Sequence, residues 1–567
     1  MNNFRTFINK LQQAILGFAQ QIMILALVLG TIGFLIFELL FSQPINLNNG
    51  FMILIIFVLI WMFIMTLPIN RKDQQSRPQF DDSVKTKGNH KLTVTLVMVL
   101  LATLLIALNA LTSRVLMSKQ YANLIGDIEM VDFKDIYNED NLIESSYIDK
   151  NAALIAAEKK IGELADLSSI YTVDVDNFSK IKYKGKLVRI APLKHINYNY
   201  RLRENNKGIP YYVMVDVSDN KTSAKAELIN IADHPIKYSP NAMFFKSLKR
   251  VAFMHNPTHT YGRATFELDE GGVPYFSIPI LGHKFFGVNG DYLKKVLLVN
   301  ASTGDAVEYE PEDVPTWVDR VYPTNLMLNQ ASDHFTLKNG FWGPKDMIWS
   351  NRVGLKTIDT QIDDYNYITI DNDIYIFTGV RPLSGEGSST TSMLYMNIKT
   401  GKVKEMNLAG VSLKAAEIAA TESVIEKGYT ATTPNLLDIA GHPTYVMTLK
   451  SESGTSYGFS MINYTDLNLN AFGNSLYEVR KNYLTVMGGN SSVVSDDTIE
   501  GEYTIQDIKS VTIEGNTQYF IRFGEKAEVY TADINLNSYL PFIIAGDKVS
   551  ISTQGNVITY FEVVEIE

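Results

Sequence analysis

Residues 22–41 read IMILALVLGTIGFLIFELLF, a continuous apolar run with a single charged residue, Glu38. Two further apolar runs follow at 51–69 and 92–111, and neither contains a charged side chain. A helix of about 20 apolar residues crosses the roughly 30 Å hydrocarbon core of a bilayer. The first run is too long for the core of a signal peptide, and a second run follows it almost at once. The sequence therefore predicts a membrane anchor of three transmembrane helices in residues 1–113, with the lipid bilayer as a partner.

The basic residues around these runs predict their orientation. They are Arg5 and Lys10 before the first run, and Arg71, Lys72, Arg77, Lys85, Lys87 and Lys91 between the second and the third. The loop between the first two runs has no charge. Short loops rich in Lys and Arg remain in the cytoplasm. We therefore expect a cell-membrane protein with a cytoplasmic N-terminus and an extracytoplasmic region after about residue 112.

The region beyond the anchor is acidic and free of cysteine. Residues 114–567 contain 43 Lys and Arg against 57 Asp and Glu, a formal net charge of −14. Such a charge repels phosphate backbones, so no nucleic acid is expected as a partner. The absence of cysteine excludes disulfides, thiolate metal sites and cysteine nucleophiles.

Recurring sequence patterns indicate several folded modules in this region, since 567 residues exceed one hydrophobic core. An Ala-rich helical pattern at 151–162 has a second copy at 413–427. A Gly-x-Pro turn that leads into a strand occurs at 208–217 and 272–281, with a looser copy at 441–450. Two strand–turn–strand patterns at 295–309 and 393–405 predict hairpins.

The succession of an Ala-rich helix, a strand and a hairpin resembles PepSY-type modules. The resemblance is best over 148–232, with weaker echoes over 240–310 and 390–470. It departs from the pattern where Asp219-Asn-Lys221 replaces the hairpin glycine and where the second copy lacks an Ala-rich helix. The resemblance implies extracytoplasmic binding or inhibitory modules, without catalytic residues.

Short alternating runs separated by Gly and Asn turns fill residues 501–564, and they predict a small closed barrel. The run at 540–551 resembles the later strand of an OB-fold. Nucleic-acid binding by such a barrel needs basic and aromatic residues on one face. Because this segment is acidic, we interpret it as an interaction or assembly barrel.

The predicted fold class is therefore a membrane-anchored α+β protein. Three transmembrane helices (about 22–41, 51–69 and 92–111) precede repeated helix-plus-antiparallel-sheet modules and a small C-terminal β-barrel. The predicted boundaries are 1–113 for the anchor, 114–147 for a connecting segment, 148–235 for the PepSY-like module, 236–325 for a second α+β module, 326–495 for a β-rich region with a third helix–hairpin copy, and 496–567 for the OB-like barrel.

The sequence predicts no catalytic, cofactor-binding or metal-ligating residues, and therefore no cofactor. His255 and His259 have a spacing that suits a metal on a helix, but Pro257 lies between them and the Glu of a zincin motif is missing. We expect these histidines in a surface loop. Pairs such as Asp363–Asp364 and the Gly/Ser-rich run from Gly385 lack the context of a glycosidase or a phosphate loop.

Aromatic residues cluster in one part of the exported region. Clustered Trp and Tyr beside an Arg are typical anchors of a binding surface. The alternative is a core between modules, because Trp usually packs inside. The candidate partner-binding patch comprises Trp317, Arg320, Tyr322, Trp342 and Trp349.

Together these features favour a non-enzymatic protein of the cell envelope that presents binding or scaffold modules to an envelope protein or a cell-wall polymer. One alternative is a regulator of the inhibitor type, or an enzyme, that acts on cell-wall or peptide substrates. Another is a subunit of a membrane transport complex, whose helices would pack against partner helices.

Overall fold

The structure is a computed structural model. It describes the chain apart from residues 1, 44, 47–49, 67–89, 138–147, 149, 218–223, 288, 346–350, 360–365, 371–372, 384–387, 452–455, 491–499, 514–515, 525–527, 538, 555 and 566–567. Most of the basic loop after the second apolar run, Trp349, Asp363–Asp364 and Gly385 therefore lie outside the described residues.

Three apolar helices form the N-terminal part. They are α1 (Asn2–Phe41), α2 (Gly50–Thr66) and α3 (His90–Leu111). Two segments, Gln20–Glu38 and Thr93–Leu111, are long and apolar enough to cross a membrane, whereas the apolar part of α2, Met52–Thr66, is shorter. Residues 67–69 of the predicted second span lie outside the described residues. The N-terminal helices are thus compatible with membrane anchoring.

These helices contact one another through a few polar groups. The Gln20 Nε2 atom donates to the Thr66 carbonyl at 2.9 Å, and the Trp61 Nε1 atom donates to Thr95 Oγ1 at 3.1 Å. Their outward apolar side chains remain uncovered, as in Leu100 (66% exposed) and Ile106 (70% exposed). In water this exposure would be unfavourable, whereas a lipid environment solvates it.

The segment after α3 corrects the sequence expectation. The sequence predicts that the connecting segment 114–147 begins with a helix that continues the third apolar run. Instead, α3 ends at Leu111, and the segment forms α4 (Ser118–Ala122), β1 (Ile128–Val131) and α5 (Phe133–Ile136). β1 pairs in parallel with a strand at 403–406, so this segment completes a distant sheet.

The first sheet lies against an Ala-rich helix, α6 (Lys150–Gly162), which is followed by α7 (Ala165–Ser168). Its strands are β2 (Tyr171–Val173), β3 (Ser179–Tyr183), β4 (Lys186–His195), β5 (Tyr211–Asp216) and β6 (Lys225–Asn230), with α8 (Tyr198–Glu204) between β4 and β5. The order is β2-β4-β5-β6, and β3 pairs with β4. Ala153, Ala157 and Ile161 are buried because a spacing of four residues places them on one face of α6.

The second sheet follows the short helix α9 (Leu248–His255). Its strands are β7 (Thr260–Tyr261), β8 (Thr265–Leu268), β9 (Pro274–His283), β10 (Asp291–Asn300) and β11 (Ala306–Tyr309). The order is β11-β10-β9-β7, and β8 pairs with β9. The predicted strand at 272–281 and hairpin at 295–309 correspond to β9 and to the β10–β11 pair.

The third sheet follows α10 (Thr324–Thr336). Its strands are β12 (Lys356–Ile358), β13 (Asn366–Ile370), β14 (Asp373–Pro382), β16 (Ser392–Asn397) and β17 (Val403–Met406), joined by β1. The order is β1-β17-β16-β14-β12, and β13 pairs with β14. β15 (Ser389–Thr390) pairs separately with β18 (Gly410–Val411).

The fourth sheet follows a second Ala-rich helix, α11 (Leu413–Glu422). The Ser412 side chain caps this helix by accepting a hydrogen bond from the Ala415 amide. The strands are β19 (Thr430–Ala431), β20 (Asn435–Ile439), β21 (His442–Lys450), β22 (Ser456–Asn463) and β23 (Asn470–Gly473), in the order β19-β21-β22-β23 with β20 beside β21.

The C-terminal strands follow α12 (Leu476–Asn490). They are β24 (Glu500–Ile513), β25 (Asn516–Phe523), β26 (Tyr530–Asp533), β27 (Lys548–Gln554) and β28 (Val557–Glu565). Their pairing runs β24-β25-β26-β28-β27 and returns to β24, and the β26–β28 pairing is parallel.

The chain divides into two compact units. One comprises Met1–Ile439 with Pro443–Arg480, and the other Ala440–His442 with Lys481–Glu567. The predicted barrel boundary at 496 falls inside the second unit. In the first unit, one continuous core draws side chains from the first three sheets, so these sheets are packed together and do not form separate domains.

Candidate binding surfaces

The structure gives the predicted aromatic residues different surroundings. Trp317 is half-buried and packs on Tyr275, with 5.0 Å between ring centroids. Trp342 is 44% exposed and meets the edge of Phe341 at 5.1 Å. Trp349 lies outside the described residues. A single partner-binding patch formed by these residues therefore stays a prediction.

Arg320, predicted as the cation of that patch, belongs to a different group of side chains. Its guanidinium donates to the Tyr367 hydroxyl and lies 5.2 Å from the centroid of the Tyr367 ring. The Lys180 Nζ atom lies 5.4 Å from the same centroid. Lys180 is on β3, Tyr367 is on β13, and Arg320 follows the second sheet, so groups from three modules meet on one ring.

Buried carboxyl and cationic groups surround this contact. We call the group the junction cluster, and it comprises Lys180, Arg189, Glu267, Asp319, Arg320 and Tyr367. Glu267 is completely buried and Lys180 is 3% exposed. The Asp319 carboxylate accepts a hydrogen bond from the Lys182 amide. Ionisable groups at this depth are costly unless they are paired or neutralised.

Burial shifts the charge states in the junction cluster. It raises the pKa of Glu267 to about 8, and the nearby Asp319 acts in the same direction. It also lowers the pKa of Lys180 well below its usual value, and the positive charges of Arg189 and Arg320 add to this effect. The Glu267 carboxyl is therefore largely protonated at neutral pH. The cluster joins three sheets while it carries less charge than its residue types suggest.

A cavity of about 240 Å³ provides a second candidate surface. It lies between the segment after α4, the β9–β10 hairpin, α10 and the turn before β17. Its apolar walls are Leu124, Ile125, Leu293, Leu326, Met327 and Val403, and its polar groups are Lys284, Tyr292, Tyr322 and Gln330. Of the predicted patch, Tyr322 lines this cavity. Its volume is slightly below the roughly 300 Å³ at which small-molecule sites begin, so it suits a small group or one side chain of a partner.

Two glycines make room for the tyrosine rings of this cavity. A Cβ atom at Gly401 would lie 2.5 Å from the Tyr322 ring, and one at Gly282 would lie 2.5 Å from the Tyr292 ring. The Gln330 Nε2 atom is used inside the protein, because it donates to the Asp291 carbonyl at 2.8 Å. Burial raises the pKa of Tyr322, so its hydroxyl is a neutral hydrogen-bonding group at physiological pH.

The two histidines with the spacing of metal ligands both lie beside one carboxylate. His255 Nε2 and His259 Nδ1 lie 3.3 and 3.2 Å from the same Oε1 atom of Glu308. Lys295 Nζ lies 3.6 Å from the other oxygen of Glu308. Within the described ranges, no group of three or more His, Cys, Asp or Glu side chains is arranged to hold a metal ion. With the Lys295 ammonium group beside the same carboxylate, these side chains form an ionic cluster.

The end of α3 is hydrogen-bonded to the β9–β10 hairpin. Asn289 Nδ2 donates to the Asn109 carbonyl at 3.0 Å, and Thr112 Oγ1 donates to the Phe286 carbonyl at 3.0 Å. Gly287, at φ +75°, fits beside Asn109, whose Nδ2 atom would be 2.1 Å from an added Cβ. The second sheet is thus in close contact with the last turn of an apolar helix.

The segment after α1 makes a similar contact with the loop after α9. The Ile45 amide donates to the Pro257 carbonyl at 2.7 Å. Asn46 Nδ2 donates to the Thr258 carbonyl at 2.7 Å and contacts Thr260 Oγ1 at 3.1 Å. Sequence reasoning missed both contacts. The available signal was the presence of Asn and Thr at the ends of apolar runs, which is common in loops and does not identify a partner.

Comparison with known proteins gives little guidance. No family model and no curated protein matches this sequence. A glycoside hydrolase family 43 β-1,3-galactosidase with galactodeoxynojirimycin is 11% identical, with a TM-score of 0.16 over 55% of this chain and 77% of its own. A mutant levansucrase of B. megaterium is 11% identical, with a TM-score of 0.15 over 78% of this chain and 98% of its own. Similarity at this level carries no argument about fold or function.

Proposed function

We propose that this chain is a non-enzymatic integral membrane protein of the cell envelope. Its three N-terminal helices, including the shorter α2, cross the membrane, and the N-terminus is cytoplasmic. The region after about residue 112 lies outside the cytoplasm and presents binding or scaffold modules to an envelope protein or a cell-wall polymer. The observation that carries this proposal is the hydrogen bonding of the α+β region to the segment just after α1 and to the C-terminal end of α3.

These contacts support an odd number of crossings. The residues that follow α1 and α3 both contact the second sheet or the loop that leads into it. Two helices that end on the same side of the protein run in the same direction. The chain must return between them, and α2 is the apolar helix available for that return. Although Met52–Thr66 is short, local thinning of the bilayer accommodates such a helix at modest cost.

The charge distribution supports the direction of the crossings. The basic residues between 71 and 91 belong on the side opposite to the α+β region, since they connect α2 to α3. Short basic loops stay in the cytoplasm, which assigns the α+β region to the exterior.

The modules support a binding role. An Ala-rich helix beside an antiparallel sheet, as in α6 with β5 and β6, is in line with PepSY-like modules. The circular strand pairing at the C-terminus, with its parallel β26–β28 contact, favours an OB-like interaction barrel. The hydrogen bonds to the segment after α1 and to the end of α3 would hold the second sheet at a fixed height above the bilayer, as a scaffold requires.

Because the chain has no cysteine, single-cysteine variants test the topology directly. Ser83→Cys lies in the basic loop, and Glu426→Cys replaces an exposed residue before the fourth sheet. A membrane-impermeant maleimide applied to intact cells should label the Glu426→Cys variant, and should label the Ser83→Cys variant only after the cells are permeabilised. The reverse pattern would overturn the orientation.

Site-specific photo-crosslinking tests the binding role. A crosslinker introduced at Trp342, which is 44% exposed, should capture an envelope protein or a wall-polymer fragment in growing cells. The same group at Lys186, the exposed first residue of β4, serves as the control. Purified full-length protein that hydrolyses wall or peptide substrates, with the activity lost in a single-residue variant, would overturn the non-enzymatic assignment.

A further inference from the structure

A compact group of exposed apolar and basic side chains lies in and before α9. Phe244, Phe245 and Met254 are 55%, 61% and 64% exposed. Arg250 lies 5.7 Å from the centroid of the Phe245 ring, and Lys249 is exposed on the same helix. We call this group the α9 surface. Exposed aromatic side chains in such proximity usually mark an interaction site, because folded proteins bury them where they can.

The protein holds these rings outward by specific contacts. Phe244 has φ +52°, in the left-handed region that a residue with a Cβ seldom adopts. The Asn205 side chain fixes the preceding residue by accepting from the Met243 amide and donating to the Met243 carbonyl. Lys246 Nζ adds hydrogen bonds to the carbonyls of Asn205 and Asn206. The rings are therefore displayed by a fixed turn.

The orientation of α9 determines which of its side chains face away from the protein interior. Leu248 and Ala252 are buried, and they lie one turn apart on the face that packs into the protein. Arg250 and Met254 are also one turn apart, on a different face. Helices that lie in the membrane interface combine exposed apolar side chains with Lys and Arg.

Contacts with the first apolar helix place the α9 surface at the level of the helix end. Lys249 lies within electrostatic range of Glu38, near the end of α1. Pro257 and Thr258, directly after α9, bind the segment that follows α1. Leu116, directly after α3, is likewise 61% exposed. Apolar side chains therefore continue from the helix ends onto the adjoining protein surface.

We propose that the α9 surface lies in the headgroup region of the outer leaflet, with Phe244, Phe245 and Met254 inserted between lipids and with Lys249 bound to anionic phospholipid. This inference rests on the membrane anchoring proposed above. Aromatic rings are favoured at the boundary between headgroups and acyl chains. Basic side chains near the surface gain electrostatic attraction from anionic lipids. The second sheet would then be fixed to the bilayer at α1, at α3 and at the α9 surface.

Full-length protein in lipid nanodiscs tests this proposal. An environment-sensitive fluorophore is attached to Phe245→Cys, and in a separate sample to Ile425→Cys, a 68% exposed position in the turn before the fourth sheet. Lipids with a spin label at a shallow depth should quench most of the fluorescence at position 245 and leave position 425 bright. Equal, weak quenching at both positions would overturn membrane insertion.

A charge series tests the lipid preference. Quenching at position 245 should be stronger in nanodiscs with phosphatidylglycerol than in phosphatidylcholine alone, and Lys249→Gln should reduce this difference. Identical quenching in the two lipids would overturn the recognition of anionic headgroups. A label that is bright in nanodiscs but shielded from water-soluble quenchers in cells would assign the surface to a protein partner and overturn the lipid proposal.

The result is independent of cellular orientation, because both faces of a nanodisc are open to solvent. An inverted topology in cells would therefore overturn the proposed function without changing the quenching. Absent quenching at position 245 would overturn the α9 proposal and leave the topology intact.

Discussion

At the residue scale, the buried carboxyl of Glu267 makes the stability of the first unit dependent on pH. Burial raises its pKa from 4.5 to about 8 in the folded protein. Between these values the folded chain binds a proton that the unfolded chain has released. The contribution of Glu267 to stability is therefore fully present below about pH 4.5, and it is lost as the pH rises through the folded pKa of about 8.

The variant Glu267→Gln should remove this dependence. It retains the shape of the side chain and cannot ionise. Compared with the parent, its stability should increase with pH from about 4.5 to 8, by up to about 1.4 kcal/mol per pH unit. Thermal unfolding of the detergent-solubilised full-length parent and variant across this range measures the difference in their stability. The titration of Lys180 affects both proteins and therefore cancels from the difference. Glu422→Gln, at an exposed position, is the control. If the stability difference between Glu267→Gln and the parent did not change with pH, the buried carboxyl would not be protonated in the folded protein.

The junction cluster also shows where prediction from sequence stops at this scale. The sequence assigned Arg320 to the aromatic patch because Trp and Tyr residues lie near it in the chain. Its actual neighbours, Lys180 and Tyr367, lie on other sheets and are distant in sequence. No local spacing of residues predicts these contacts, because they depend on how the sheets pack against one another.

At the element scale, the β9–β10 hairpin depends on Gly287 for its contact with α3. Gly287→Ala combines a strained backbone at φ +75° with a Cβ placed 2.1 Å from Asn109 Nδ2. Gly185, in the turn between β3 and β4, is a matched control, since it has φ +78° and nothing within 4 Å of an added Cβ. The control should lose about 1–2 kcal/mol of stability from backbone strain alone.

Gly287→Ala should lose more stability than Gly185→Ala. Hydrogen exchange should also increase in the hairpin and in the first residues after α3, where Thr112 binds Phe286. The two substitutions are compared in the same full-length protein by thermal unfolding and exchange. Equal losses, with unchanged exchange near Thr112, would show that the hairpin does not fix the end of α3.

Local elements with a strong pattern were predictable. The helices expected at 151–162 and 413–427 correspond to α6 and α11, because Ala-rich segments with spaced apolar residues favour helix regardless of context. The hairpin at 393–405 corresponds to β16 and β17. β1 was missed because a four-residue strand carries little periodicity of its own. It is defined by its parallel pairing with β17.

At the scale of the whole molecule, the C-terminal strands have a core of their own. Their buried side chains, among them Ile505, Ile521, Phe523 and Val549, pack with one another in a cluster whose described members lie between residues 503 and 563. A core of this kind is sufficient for many small domains to fold without help. α12 begins in the first unit and continues into the second, where Lys481 lies 3.5 Å from Asp533.

We therefore expect residues 476–567, expressed alone, to fold with one cooperative transition. Ile521 is completely buried, so Ile521→Ala should destabilise this fragment by about 2–5 kcal/mol. In the full chain the same substitution should lower one thermal transition and leave the transition of the first unit unchanged. The exposed Val511→Ala, at 47% exposure on β24, should alter neither by more than about 0.5 kcal/mol. A fragment without a cooperative transition, or a full chain that unfolds in one step shifted by Ile521→Ala, would show that the two units fold as one.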